Sequence, residues 1–148
     1  MSHSNLGVFS DAQSLGASAA STANIDMALV TQRVGVGKPV YLCIRIATAD
    51  VATATSIAFQ LENDGDSAFG SAVAFPLRAA IGYASLTLGT WVYRGTIPYE
   101  VTERYCRLYY TTGGSSATAG AVDAWLQSDP PPSDLSSSQV FESPVGNP

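Results

Sequence analysis

The sequence predicts an all-β fold: an eight-stranded antiparallel jelly-roll sandwich with extended arms at both ends. Three observations lead there. Short apolar runs alternate with polar residues at the two-residue period of a strand. Gly, Asp, Asn or Pro separates most of these runs, at spacings of roughly 10–16 residues. No helical pattern of convincing length interrupts them, and 148 residues is the length of one domain.

Taken in order, residues 1–24 are rich in Ser and Ala, with sparse apolar anchors at Leu6, Val8, Phe9 and Leu15. Ser, Thr and Gly at this density disfavour a helix, so this stretch reads as an extended N-terminal arm. "NIDMALV" (24–30) opens the β domain, which spans residues 25–128. In "PVYLCIRIA" Val40, Leu42, Ile44 and Ile46 share one face, and Tyr41, Cys43 and Arg45 share the other. "TSIAFQLE" (55–62) turns Ile57, Phe59 and Leu61 inward, and "NDGD" (63–66) supplies turn chemistry directly after it. "SAVAFPL" (71–77) holds Pro76, which cannot donate to a ladder and so marks an edge strand or a bulge. "ASLTL" (84–88), "TWVYRGT" (90–96), "RYCRLYYTT" (104–112) and "GAVDAWLQ" (120–127) complete the eight. "TTGGSSATAG" (111–120) reads as a flexible loop between the last two. Residues 129–148, "DPPPSDLSSSQVFESPVGNP", read as a non-globular tail whose sticky pair is Val140 and Phe141.

Composition narrows the function. Charged residues make up 13% of the chain, about half the usual ~25%. Such a surface is poorly protected against association, which suits a protein that works within an assembly. The net charge is −5 and the seven basic residues form no stripe, so nucleic acid is a poor direct partner. There is no run of 18 apolar residues to span a membrane and no secretory signal at the start, so synthesis in a cytoplasm is expected. Cys43 and Cys106 lie in apolar runs outside any metal-binding spacing and read as buried small hydrophobes; a disulfide between them stays open.

Little in the chain points to catalysis. The one histidine, His3, sits in the arm, away from any rigid, preorganised site. Glu62, Asp64 and Asp66 cluster around Gly65, but in the wrong order for a calcium loop and with no closing acid; a hairpin turn is the better reading. Neither a phosphate-binding glycine loop nor a metal-ligand pattern occurs. The expectation is a non-enzyme without cofactors.

The densest chemistry is "RYCRLYYTT". As a strand it sends Cys106, Leu108 and Tyr110 to the core. Tyr105, Arg107 and Tyr109 go to the other side. That row fits three roles: stacking bases, contacting protein, or standing in solvent with Arg107 laid over the rings. The acidic chain disfavours the first.

"FSDAQ" (9–13), "STANIDM", "GVGKPVYLCIRI" and above all "TERYCRLYYTTGGSSATAGAVDAWL" resemble the capsid cement proteins of short-tailed bacteriophages, from about residue 5 to about residue 128. The resemblance implies a jelly-roll decoration protein on the outer face of the head, clamping neighbouring copies of the major capsid protein. It implies a homo-oligomer, dimer or trimer, as the working form. Candidate contact residues are then Leu6, Phe9, Val140 and Phe141 in the arms, and Trp91, Tyr93, Arg94, Tyr105, Arg107 and Tyr109 on the body. The alternative is a carbohydrate-binding jelly roll on a virion, with Trp91, Tyr93 and Tyr99 stacking sugars.

Overall fold

The computed structural model describes residues 5–28, 30, 40–97 and 103–128. Seven strands are found among them: β1 (Asn5–Ser14), β2 (Ala19–Ala20), β3 (Ile25–Asp26), β4 (Tyr41–Asp64), β5 (Val73–Gly82), β6 (Trp91–Thr96) and β7 (Tyr105–Gln127). All are antiparallel, in the order β1-β7-β4-β5, with β2 and β3 also on β7 and β6 also on β4. No helix among the described residues is long and apolar enough to cross a membrane.

The spine is the pair of long strands. β4 runs 24 residues and β7 runs 23, paired from Tyr41↔Gln127 to Asp64↔Tyr105. Pairing is irregular from Ala47↔Ala121 to Ser56↔Gly113. That break divides the sheet into two halves. In the first, β1 lies on the end of β7 (Ala121 onward) and β6 on the start of β4. In the second, β2 and β3 lie on the start of β7 and β5 on the end of β4.

The halves close face to face because each has one apolar side. Leu42, Ile44 and Ile46 from the first meet Ile57, Phe59 and Leu61 from the second in a single buried cluster. Hydrogen bonds tie both rims. Ala23 N–H donates to the Phe9 carbonyl at 3.0 Å on one side, and the Arg78 guanidinium to the Val92 carbonyl at 2.8 Å on the other.

One polar chain crosses the interior. Gln13 is oriented by its partners: its Nε2 donates to the Ala20 carbonyl and its Oε1 accepts from Thr22 N–H. Ser10 spends its single proton on that same Oε1, at 2.6 Å. The Tyr110 hydroxyl, 2.7 Å from Ser10 Oγ, is therefore the donor of that pair. Burial pushes its ionisation well above the usual phenol range, against the lowering effect of the Ser10 bond. Removing the hydroxyl by Tyr110→Phe leaves Ser10 an unfilled acceptor in the core. A loss of about 1–2 kcal/mol is expected in urea unfolding; no loss would mean the link between halves is not energetically coupled.

Several sequence expectations are corrected here. The N-terminal segment is not a free arm from residue 5 onward: β1 is an edge strand of the sheet, and Phe9 and Leu15 lie in the core. Among the described residues of the first expected strand, Ile25–Asp26 form a strand, β3. "ASLTL" is not a strand. Tyr83–Ser85 form a 3-10 turn, and only Leu86 of that stretch is buried. "PVYLCIRIA" and "TSIAFQLE" belong to one strand, β4, just as "RYCRLYYTT" and "GAVDAWLQ" both belong to β7. The glycine-rich stretch 111–120 is the middle of β7, not a loop.

Other readings hold. Pro76 stands on edge strand β5 opposite Gln60, next to a register shift. The Asp64 carboxylate accepts from Asp66 and Ser71 N–H, and Asp66 from Ala68, which makes "NDGD" the β4–β5 turn.

Candidate interaction surfaces

Strand parity places the body candidates on two different outward faces. On the second half, Gln60, Glu62 and Asp64 of β4 stand opposite Tyr109, Arg107 and Tyr105 of β7. Arg107 Nε donates to Glu62 Oε1 at 2.7 Å, and Gln60 steadies the other carboxylate oxygen at 3.0 Å. The guanidinium also lies 4.5 Å over the ring of Phe69, from the β4–β5 turn. The arginine is thus held between two partly exposed tyrosines in one rigid row. At the end of the row Arg104 makes two hydrogen bonds to Asp26 and lies 5.0 Å over the Tyr105 ring. Its pKa is raised by that Asp26 hydrogen bond.

On the first half the outward face is built around tryptophan. Between Ile44↔Tyr93 and Arg45↔Trp91 the ladder skips Val92, a bulge in β6. Val92 is buried and Tyr93 packs against the core, its hydroxyl donating to the Thr96 carbonyl; burial raises its pKa. Trp91 and Arg94 therefore share the outer side. Arg45 and Arg94 lie 5.4 and 5.1 Å over the Trp91 ring. Trp91 in turn packs on Trp125, with ring centroids 5.8 Å apart. The Trp125 indole N–H donates to Gln127 Oε1 at 2.7 Å. Cys43 and Trp125 are buried, yet both stand outside the core cluster, so they form a second, thin apolar layer on this face.

The structure therefore does not unite Trp91, Tyr93 and Arg94 with Tyr105, Arg107 and Tyr109. Tyr93 packs against the core, and the two remaining groups stand on the outward sides of different halves of the sheet. Phe9, expected to dock on a partner, is fully buried. The Leu6 side chain, Val140 and Phe141 lie outside what is described, as does Tyr99. Sequence reading missed Trp125, Arg45, Glu62 and Phe69 as members of these faces. The signal was present for three: alternation from Leu126 and Ile44 turns Trp125 and Arg45 outward, and Glu62 follows Leu61. Phe69 sits in a turn, where no period applies.

Both cysteines are free and buried. Burial pushes the thiol of Cys43 up to about 11, partly offset by the Arg94 charge, and that of Cys106 up to about 12. The folded state thus holds both protons more tightly than the unfolded chain. This contribution to stability is constant below the unfolded thiol pKa near 8.5 and is lost as pH rises from there through about 11–12. Native protein at pH 8 is expected to react with a thiol reagent only on unfolding, when both groups appear. Rapid labelling of a native thiol would contradict this burial. No group of three or more His, Cys, Asp and Glu among the described residues is placed to hold a metal ion.

A search of the curated proteins finds no match. The family model named Bbp16 matches residues 9–126, which run from the buried Phe9 of β1 to the end of β7 and take in both outward faces. The chain belongs to the Bbp16 family.

Proposed function

We propose that this protein is a decoration, or cement, protein on the exterior of a phage head, bound across neighbouring copies of the major capsid protein. One observation carries the reading. The phrase that resembles cement proteins, "TERYCRLYYTTGGSSATAGAVDAWL", is essentially β7, and its outward residues form the rigid Tyr105–Arg107–Tyr109 row. Tyr and Arg are the residues on which binding energy concentrates at protein interfaces. A row already held in place loses little freedom on docking.

The jelly roll belongs to the same reading. Counting each half of β4 and β7 as a strand, and β2 with β3 as one interrupted strand, gives eight segments in two four-stranded halves. Such a body bound to the closed shell, and not to separate subunits, shifts the equilibrium toward the shell. Many copies acting together let each contact stay modest, and a homo-oligomer multiplies the effect. The mechanism involves no reaction and no cofactor.

The test is add-back to isolated heads that lack the protein, read by co-sedimentation. Tyr105→Ser/Tyr109→Ser is expected to weaken binding by about 30-fold, the loss of two interface anchors together worth about 2 kcal/mol. Full occupancy by this variant would remove the tyrosine row from the mechanism. Failure of the unaltered protein to bind heads would end the reading.

A further inference from the structure

Tyr83 and Leu88 are 53% and 58% exposed, and with Val73 they are the large apolar side chains left in water among the described residues. Val73 lies at the far end of β5, whereas the other two share the loop from β5 to β6.

That loop is tied down at almost every step. Leu86 is fully buried; its N–H donates to the Tyr83 carbonyl at 3.0 Å, and its own carbonyl accepts from Val51 N–H at 2.9 Å. Leu88 N–H donates to Asp50 Oδ1 at 2.7 Å. Gly89 N–H donates to the Ile46 carbonyl and Ile46 N–H to the Thr90 carbonyl, both at 2.9 Å, and Gly89 supplies the φ of 85° that this turn needs. Leu86 already anchors the loop to the core, so the fold does not require Leu88 or Tyr83 to be apolar. Both are held out in fixed positions, and an apolar pair fixed in advance loses little freedom when it docks.

Charge says what docks there. Residues 79–93, "AAIGYASLTLGTWVY", run from Arg78 to Arg94 without a charged residue. Two copies of this chain, each of net charge −5, repel unless they meet where neither presents an acid. Asp50 borders the loop, and its carboxylate is engaged by Leu88 N–H. A contact between identical copies must also be self-complementary: a two-fold axis sets one residue against a second, and the second against the first. An aromatic and an aliphatic side chain on one loop satisfy that condition. Pairing of β5 edges is not the route, because β5 carries Pro76 and two register shifts, features that blunt an edge. We propose that this loop is a contact between two copies of the chain, with Tyr83 of each packed on Leu88 of the other. It gives the homo-oligomer of the reading above its contact surface, and its test uses no phage heads, so the two fail separately.

Sedimentation equilibrium of the full-length protein is expected to show monomer and dimer in exchange. Leu88→Asp should raise the dimer dissociation constant by about 100-fold, because each dimer carries the substitution twice. Val73→Asp, similarly exposed but at the other end of β5, should change it little. Added salt should tighten the dimer, since the contact contains no ion pair and only the net repulsion is screened. A second measurement fixes the pairing. Under mild oxidation, Tyr83→Cys mixed with Leu88→Cys should cross-link faster than either variant alone; the native thiols are buried and do not compete. A monomer at every concentration overturns the proposal. So does a dimer that Leu88→Asp leaves intact, that Val73→Asp weakens equally, or that salt dissociates. Cross-linking no faster in the mixture than in the single variants overturns it too.

Discussion

Phe9→Ala is expected to lower the stability of the folded domain by about 3–5 kcal/mol, the cost of deleting a buried phenylalanine. Phe9 is fully buried in the common core cluster. Its carbonyl accepts from both Ala23 N–H and the Thr22 hydroxyl, so the cavity opens where β1 meets the turn before β3. For a chain of this size each kcal/mol moves the melting temperature by about 2–4 °C, so a fall of roughly 10 °C is expected in calorimetry. Phe9→Leu keeps most of the volume and should cost less. The experiment decides between two roles for the N-terminal segment. As a docking arm, Phe9 would leave stability unchanged when truncated and affect attachment alone. As a structural strand, its loss unfolds the edge of β7. A melting temperature within about 2 °C of the unaltered protein would restore the arm.

The reason the sequence misleads at Phe9 is instructive. Alternation is a signal of regular strands, and β1 is irregular: its register on β7 shifts three times, and Ala12 has φ 50°. Those bulges break the period, so Val8 and Phe9 are adjacent apolar residues rather than alternate ones. The same limit explains the middle of β4, where Thr48 and Thr53 adopt positive φ and the chain bends without a turn signature. Where the ladder is regular, reading was straightforward. Cys106, Leu108 and Tyr110 are buried, and Tyr105, Arg107 and Tyr109 are turned outward as their parity requires. The composition of the two faces was equally legible, but their separation was not. Which residues of β6 face outward depends on the Val92 bulge, and a bulge is set by pairing with a distant strand.

Gly120→Ala is expected to cost about 3–5 kcal/mol or to prevent folding. Glycine-rich sequence between two strands reads as flexible loop, since glycine costs entropy inside a strand. At Gly120 the glycine serves close approach instead. It sits at φ 103°, where an L residue is strained, between Ala119↔Ala52 and Ala121↔Ala47. A methyl there would meet Val51 Cγ2 at 2.8 Å and Val51 Cα at 2.9 Å. The side-chain contact can yield, but the backbone contact cannot without moving β4. That backbone is held by the Val51 N–H bond to the Leu86 carbonyl at 2.9 Å, while the Gly120 carbonyl accepts from Leu15 at 3.3 Å. Val51→Ala in the Gly120→Ala background should therefore recover only part of the loss. Gly82→Ala is the matched control. No heavy atom lies within 4 Å of its added methyl and its φ is −60°, so a change within about 0.5 kcal/mol is expected. Urea unfolding of the three variants separates the cases. If Gly120→Ala were as mild as Gly82→Ala, residues 111–120 would be the pliable loop that their composition implies, and the two halves would not be joined through a continuous β7.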